Sequence, residues 1–173
     1  FIFNHFSDQK PFKVVVQEAM DLGFTEPDPR IDISGVDVQR KILILCRECG
    51  LHMDMSDIHN NPFLSESTMQ GSVSDFLDAL ASEEAQMLER WKSANAEGKR
   101  LKYLASFSNG KASVGMDAVG TEHPFYAIEG SDNIVSIRTK RYDQPLIVRG
   151  AGAGAEVTAM GVFADIIRIA NRD

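Results

Sequence analysis

Four carboxylates and one lysine fall within a single short stretch, Thr25-Glu26-Pro27-Asp28-Pro29-Arg30-Ile31-Asp32-Ile33-Ser34-Gly35-Val36-Asp37-Val38-Gln39-Arg40-Lys41. The acids are Glu26, Asp28, Asp32 and Asp37, and Lys41 closes the run. Pro27 and Pro29 fix their own φ near about −65°. They also push the preceding Glu26 and Asp28 toward extended conformations. Solubility alone gains nothing from such stiffening. A loop that aims carboxylates at a ligand does gain, because positioned groups lose little entropy on engagement.

The element that carries the lysine must position it. Ser34 is placed to cap a helix, with Asp37 three residues on as a variant capping box. The helix is predicted from about Gly35 to Cys49, closed by Gly50. Asp37 and Lys41 lie four apart and share a face. Ile42-Leu43-Ile44-Leu45-Cys46 follows, an apolar run expected to be buried on most sides. Lys41 is therefore expected to leave a buried helix into a partly enclosed space, where a lysine holds its charge less firmly and can donate a proton near neutral pH. The competing reading is an exposed Asp37–Lys41 pair worth about 0.3–0.5 kcal/mol. Spacing alone leaves both open.

The stretch from Thr25 to Lys41 resembles the signature of homoserine dehydrogenases: Thr-Glu-Pro-Asp-Pro-Arg, then Asp, a small residue, Gly and Asp, then Arg-Lys. Ile31 stands where many members carry Asp. The similarity extends from Phe1-Ile2-Phe3 to Gly150-Ala-Gly-Ala-Gly-Ala-Glu-Val-Thr158 and the terminal helix, and is least distinctive from about Ser65 to Ala96. The C-terminal half is most similar in style to bifunctional aspartate kinase–homoserine dehydrogenases. The resemblance implies NAD(P)-dependent interconversion of L-aspartate semialdehyde and L-homoserine. It implies that Glu26 and Asp37 bind the amino acid, that Asp32 lines the same pocket, and that Lys41 is the proton donor. It further implies a homodimer formed through the strand-rich region. Carboxylates suit an ammonium group. A lysine suits the carbonyl oxygen that gains negative charge as hydride arrives at carbon. The alternative is a non-catalytic ligand-binding or dimerisation module of the same fold.

A second candidate is the small-residue run Arg149 to Thr158, which follows a predicted strand and opens a helix. A helix start preceded by small residues suits an anion, and a tight strand-to-helix turn explains the same residues. A dinucleotide fingerprint needs a strand–helix–strand unit with an acid about 20 residues on, and this run stands too near the end of the sequence. The resemblance implies that Gly154 contacts the nicotinamide nucleotide, NADP or NAD. No strand, Gly-rich loop and helix unit is visible in the first 145 residues. The chain is therefore expected to be the substrate-binding and dimerisation part, with residues 1–148 as one domain. Residues 149–173 would supply a loop and helix that pack on a nucleotide-binding domain. By itself it is expected to be inactive. Its opening Phe, within an apolar run, is expected to mark a cut from something longer.

The remaining candidates are weaker. Cys46 and Cys49 form a Cys-x-x-Cys inside a predicted helix, with no second pair to complete a metal site. They read as buried, reduced thiols in a cytoplasmic protein. His5, His52, His59 and His123 lack metal-ligand spacing, so no metal is expected. Arg138, Lys140 and Arg141 read as a solvated face of a strand. Two carboxylates flanking a sugar are not indicated. The net charge of −7 argues against nucleic acid or anionic membrane as partner, and no apolar run approaches the roughly 20 residues of a membrane span.

The predicted scaffold is α+β, with helices packed on a mixed, largely antiparallel sheet. Helices are expected at 7–22, 35–49, 72–80, 83–96 and 157–170, with a short strand at 52–58. Strands are expected at 101–107, 112–119, 134–142 and 145–148. Asn109-Gly110 marks a hairpin.

Overall fold

The computed structural model describes residues 1–130, 132–152 and 155–172. They form two compact units, Phe1–Tyr126 and Ala127–Asp173. In the first, the elements run α1 (Ile2–His5), α2 (Phe12–Asp21), α3 (Arg30–Ile33), α4 (Val36–Glu48), β1 (Ile58–Asn61), α5 (Val73–Ala96), β2 (Arg100–Ser108) and β3 (Lys111–Val119). In the second they run β4 (Asp132–Thr139), β5 (Tyr142–Ala151) and α6 (Ala155–Ala170).

The predicted α+β class is what the chain adopts. The sheet of the first unit has the order β1-β3-β2, with β2 antiparallel and β1 parallel to β3. It is thus mixed. The hairpin at Asn109-Gly110 forms as expected, both residues with positive φ. The strands β4 and β5 pair with each other in a separate sheet. Lys140 and Arg141, expected on a strand, occupy the turn between them. Arg138 falls at an irregularity in that register.

One core is built where α2 and α5 face each other. Phe12, Val15 and Val16 from α2 meet Phe76, Leu80 and Met87 from α5, with Phe63 and Leu64 from the intervening loop. Burying each such side chain stabilises by roughly 1.5–3 kcal/mol. A smaller cluster joins Leu43 of α4 to Ile58, Ala112 and Val114 of the sheet.

α5 is one helix of 24 residues, where two were expected. The apolar stripe is interrupted at Ser82 and Glu83, at the junction of the two helices expected at 72–80 and 83–96. Ser82 instead donates its hydroxyl to the Ala79 carbonyl within the helix. Glu83 is 6% exposed and accepts from the Ser65 amide at 3.0 Å and from the Thr68 hydroxyl at 2.6 Å, both on its Oε1. The polar gap in the stripe is a satisfied carboxylate, so the helix continues. The expected strand at 52–58 begins only at Ile58, because Asp54 and Asp57 cap a 3₁₀ turn over Met55–Asp57. Among the described residues no helix is long and apolar enough to cross a membrane.

Glu83 gives the fold an acid-sensitive tie. Burial opposes its ionisation, but hydrogen bonds from Ser65 and Thr68 and the charge of Arg90 outweigh this and hold the carboxyl below its ordinary value. Its stabilisation is therefore complete above the unfolded glutamate pKa of about 4.3 and is lost as pH falls through the folded value. Glu83→Gln is expected to cost about 1–3 kcal/mol at neutral pH. The difference from wild type should shrink as pH is lowered through the acid range. Urea unfolding across that range checks this, and a gap that stays constant with pH would contradict it.

Candidate functional site

The carboxylate-rich segment is less of a loop than its prolines suggest. Pro29 is fully buried and opens α3, whose Ile33 joins the main core. A single helical turn therefore stands between the acids that precede it and α4. Four residues are too few to show a period, so sequence pattern does not reveal this turn.

Arg30 does most of the fastening. Its Nε donates to both oxygens of Asp28, at 2.8 and 3.1 Å, and its Nη2 donates to Asp28 Oδ2 at 2.6 Å. Its Nη1 donates to the carbonyls of Gly71 at 2.7 Å and Met69 at 3.2 Å. Hydrogen bonds from Arg30 hold the Asp28 carboxyl below its usual range, and Asp28 in turn raises the guanidinium. Asp28 is thus committed to structure.

The other acids divide by role. Asp32 Oδ2 accepts from the Glu26 amide at 2.9 Å, and the Thr25 hydroxyl donates to the Glu26 carbonyl at 3.0 Å. The Glu26 backbone is fixed by these bonds, while its exposed carboxylate has no hydrogen bond or ion pair among the described residues. Asp37 Oδ2 lies 2.8 Å from Lys41 Nζ, one helical turn apart. Their side chains are 46% and 52% exposed. The structure thus links Glu26 to Asp32 and Asp37 to Lys41.

The start of α4 differs from the expected cap. Gly35, with φ of 81°, is the cap residue. The Ser34 hydroxyl donates to the Ile31 carbonyl and makes a long 3.4 Å contact with the Val36 amide. Asp37 caps nothing, because it pairs with Lys41. A side chain at Gly35 would also collide with Tyr103: a Cβ there would run into its hydroxyl and lie 2.8 Å from its Cε1. Tyr103 donates to Asn60 Oδ1 at 3.1 Å, and Asn60 Nδ2 donates to the Ser34 carbonyl at 2.9 Å. Burial raises the Tyr103 phenol above its ordinary value, which keeps it a donor.

The enclosure expected around Lys41 is not supplied by the described residues. Nor is α4 buried on most sides: Leu43 and Cys46 are buried, but Ile44 is 59% and Leu45 38% exposed. A continuous apolar run covers the whole helix circumference, and the sheet reaches only one side of it. Cys46 is buried, with its thiol pushed up by burial, whereas Cys49 is exposed. An open recess beyond the C-terminal end of α4, lined by Arg47, His52, Asp54 and Asp57, contains none of the candidate residues. No group of three or more metal-binding side chains occurs among the described residues.

Gly154 lies outside the described residues. Upstream of it, Gly150 and Ala151 still belong to β5, paired with Asn133 and Asp132. The described residues around β1 do not form a dinucleotide-binding unit of the Rossmann type. The parallel partner of β1 is β3, and β1 leads into Pro62-Phe63-Leu64, not a Gly-rich turn opening a helix. Sequence reasoning missed Asn60, Tyr103 and Glu83 as supports, since each acts across more than fifteen residues of separation or close to it. The glycine directly before a helix start was the one available signal for a close approach.

The family model for homoserine dehydrogenase matches residues 1–167. A bifunctional aspartokinase/homoserine dehydrogenase of Zea mays is 44% identical over 175 residues, covering 99% of this chain and 19% of that protein. The homoserine dehydrogenase of Saccharomyces cerevisiae is 38% identical, over 99% of this chain and 50% of its own length. A crystal structure of a Candida auris protein of unknown function superposes with a TM-score of 0.92 at 40% identity, covering 99% of this chain and 50% of that one. The chain thus spans about half the length of the yeast relative and about a fifth of the maize one.

Gly35→Ala is expected to cost about 2–5 kcal/mol, from left-handed strain plus overpacking against Tyr103. Gly23 also has positive φ, 71°, but a Cβ added there would meet nothing within 4 Å. Gly23→Ala should therefore cost only the conformational part, about 1–2 kcal/mol. Equal losses at the two positions, read by urea unfolding, would show that Tyr103 does not set the start of α4.

Proposed function

The chain belongs to the homoserine dehydrogenase family, and we propose that it supplies the amino-acid side of that active site. On this reading the protein interconverts L-aspartate semialdehyde and L-homoserine, a step of amino-acid biosynthesis toward threonine and methionine. The observation that carries it is the Glu26 carboxylate. It stands on a backbone fixed by Asp32 and Thr25, exposed and without a partner among the described residues, while the neighbouring acids are engaged.

Glu26 takes the substrate ammonium through charge-assisted hydrogen bonds, with Asp32 lining the same side. Asp37 also faces the amino acid and holds the Lys41 ammonium beside it. Lys41 hydrogen-bonds the carbonyl oxygen of the semialdehyde. As that oxygen gains negative charge, the ammonium stabilises it and transfers a proton from Nζ, giving the hydroxyl of homoserine. In the reverse direction neutral Lys41 takes the proton back. A bound nicotinamide cofactor would supply or accept the hydride. Residues outside those described must hold it, with Gly154 proposed as one contact, and the choice of NADP or NAD lies with them.

The exposed apolar face of α6, including Met160, Phe163 and Ile166, supports packing against a nucleotide-binding domain. Exposed Leu146, Ile147 and Val148 on β5 support a homodimer through the strand region. A reducing compartment such as the cytoplasm is part of the reading, supported by two free thiols; the maize relative is named as chloroplastic. A non-catalytic module would show the same weak Asp37–Lys41 pair, but it would have no use for an unengaged carboxylate on a fastened backbone.

In the complete protein, Lys41→Ala is expected to lower kcat by about 10²–10⁴-fold, the usual loss for a general acid. The exposed Asp37–Lys41 pair itself contributes only about 0.3–0.5 kcal/mol to stability. A kcat within about threefold of wild type would remove Lys41 from the proton transfer.

A further inference from the structure

Arg30 joins two segments that are far apart in sequence, and one of them, the 65–71 loop, is held by α5. Glu83 in α5 accepts from Ser65 and Thr68, which fixes one end of the 65–71 loop. At the other end Ser72 and Asp75 form the cap of α5: the Ser72 amide donates to Asp75 Oδ2 at 2.8 Å. Gly71, with φ of 79°, lies so close that a Cβ would come 2.8 Å from Asp75 Oδ2. This loop therefore presents the Met69 and Gly71 carbonyls from a fixed frame. Arg30 binds both with Nη1 and spends its other donors on Asp28.

Asp28 and Glu26 are separated only by Pro27, whose ring restricts the backbone between them. With Asp32 holding the Glu26 amide from the far side, the position of Glu26 is determined by two anchors. One is α3 itself. The other runs from α5 through the 65–71 loop to Arg30 and Asp28.

We propose that Arg30 is a positioning residue for the substrate ammonium: it fixes the backbone that carries the Glu26 carboxylate by bridging Asp28 to the Met69 and Gly71 carbonyls. This rests on the reading of Glu26 as the ammonium ligand. The task needs the planar guanidinium fork, which serves a carboxylate and two carbonyls at once. A lysine offers a point charge and cannot span them. Asp28 is thereby kept out of the binding set, although it stands closest to Glu26 in sequence. The bridge acts on binding of the amino acid and leaves Lys41 untouched, so it should appear in KM rather than kcat.

The test is a double-mutant cycle of Arg30→Lys and Glu26→Gln in the complete protein, reading KM for homoserine and for the nicotinamide cofactor. Arg30→Lys alone is expected to raise KM for homoserine by about tenfold, with cofactor KM and kcat within about threefold of wild type. In the Glu26→Gln background the same substitution should change homoserine KM by less than about twofold, because the group it positions is gone. An unchanged homoserine KM in Arg30→Lys would overturn the proposal, as would an equal rise in both backgrounds, the signature of a general structural loss. An unchanged KM in Glu26→Gln alone would overturn the ammonium assignment, and this inference with it. Asp28→Asn, which leaves Arg30 bound to its carbonyls, carries the same cycle if Arg30→Lys does not fold, with the same outcomes deciding.

Discussion

The approach of Tyr103 to Gly35 is the constraint on which the candidate site depends. The aromatic ring of a β-strand occupies the space where any side chain at position 35 would sit. It is held there from several directions. Phe63 meets it edge-on at 5.4 Å between centroids, and Phe3 stacks at 6.4 Å. Tyr103 packs against both apolar clusters, so it ties the helical core to the smaller core under α4. Its hydroxyl then passes the constraint through Asn60 to the Ser34 carbonyl. The strand thereby dictates where α4 begins. The start of α4 dictates where Asp37 and Lys41 stand, one turn along.

Against that fixed origin, the acids separate into those that build and one that waits. Asp28 is consumed by Arg30, and one oxygen of Asp32 by the Glu26 amide. Asp37 and Lys41 share a weak, half-exposed contact. The role proposed for Lys41 draws on that weakness. A buried ion pair resists exchange of partners because each charge left alone is costly, whereas an exposed one can yield to a ligand at little expense. Glu26 is the complementary case, an unengaged side chain on a fastened backbone. Rigid support with free functional groups is the arrangement that lowers the entropy lost on binding.

Much of this was legible in the residues themselves. The signature run, the α4 and α6 helices, the Asn109-Gly110 hairpin and the α+β class all follow from short-range pattern, whose physics is local. The parts that were not legible are long-range. The unbroken course of α5 depends on Ser65 and Thr68 satisfying Glu83, and nothing near Glu83 in sequence announces them. The Ser34 cap failed for a similar reason: Ser34, Gly35 and Asp37 fit a local motif, but the close approach of Tyr103 made Gly35 the better cap. The open side of α4 escaped because apolar composition reports what can be buried, and Ile44 and Leu45 meet no covering element among the described residues.

The contact we propose between the Glu26 carboxylate and the substrate ammonium carries the functional reading. It is tested most directly by removing each partner in turn. In the complete wild-type protein, kcat/KM should favour homoserine over its analogue lacking the amino group by about ten- to a hundredfold, the worth of a hydrogen bond to a charged group. In the Glu26→Gln protein that preference should fall to within about threefold, because the two losses remove one interaction. An undiminished preference in the variant would place the ammonium elsewhere and free Glu26 of this role.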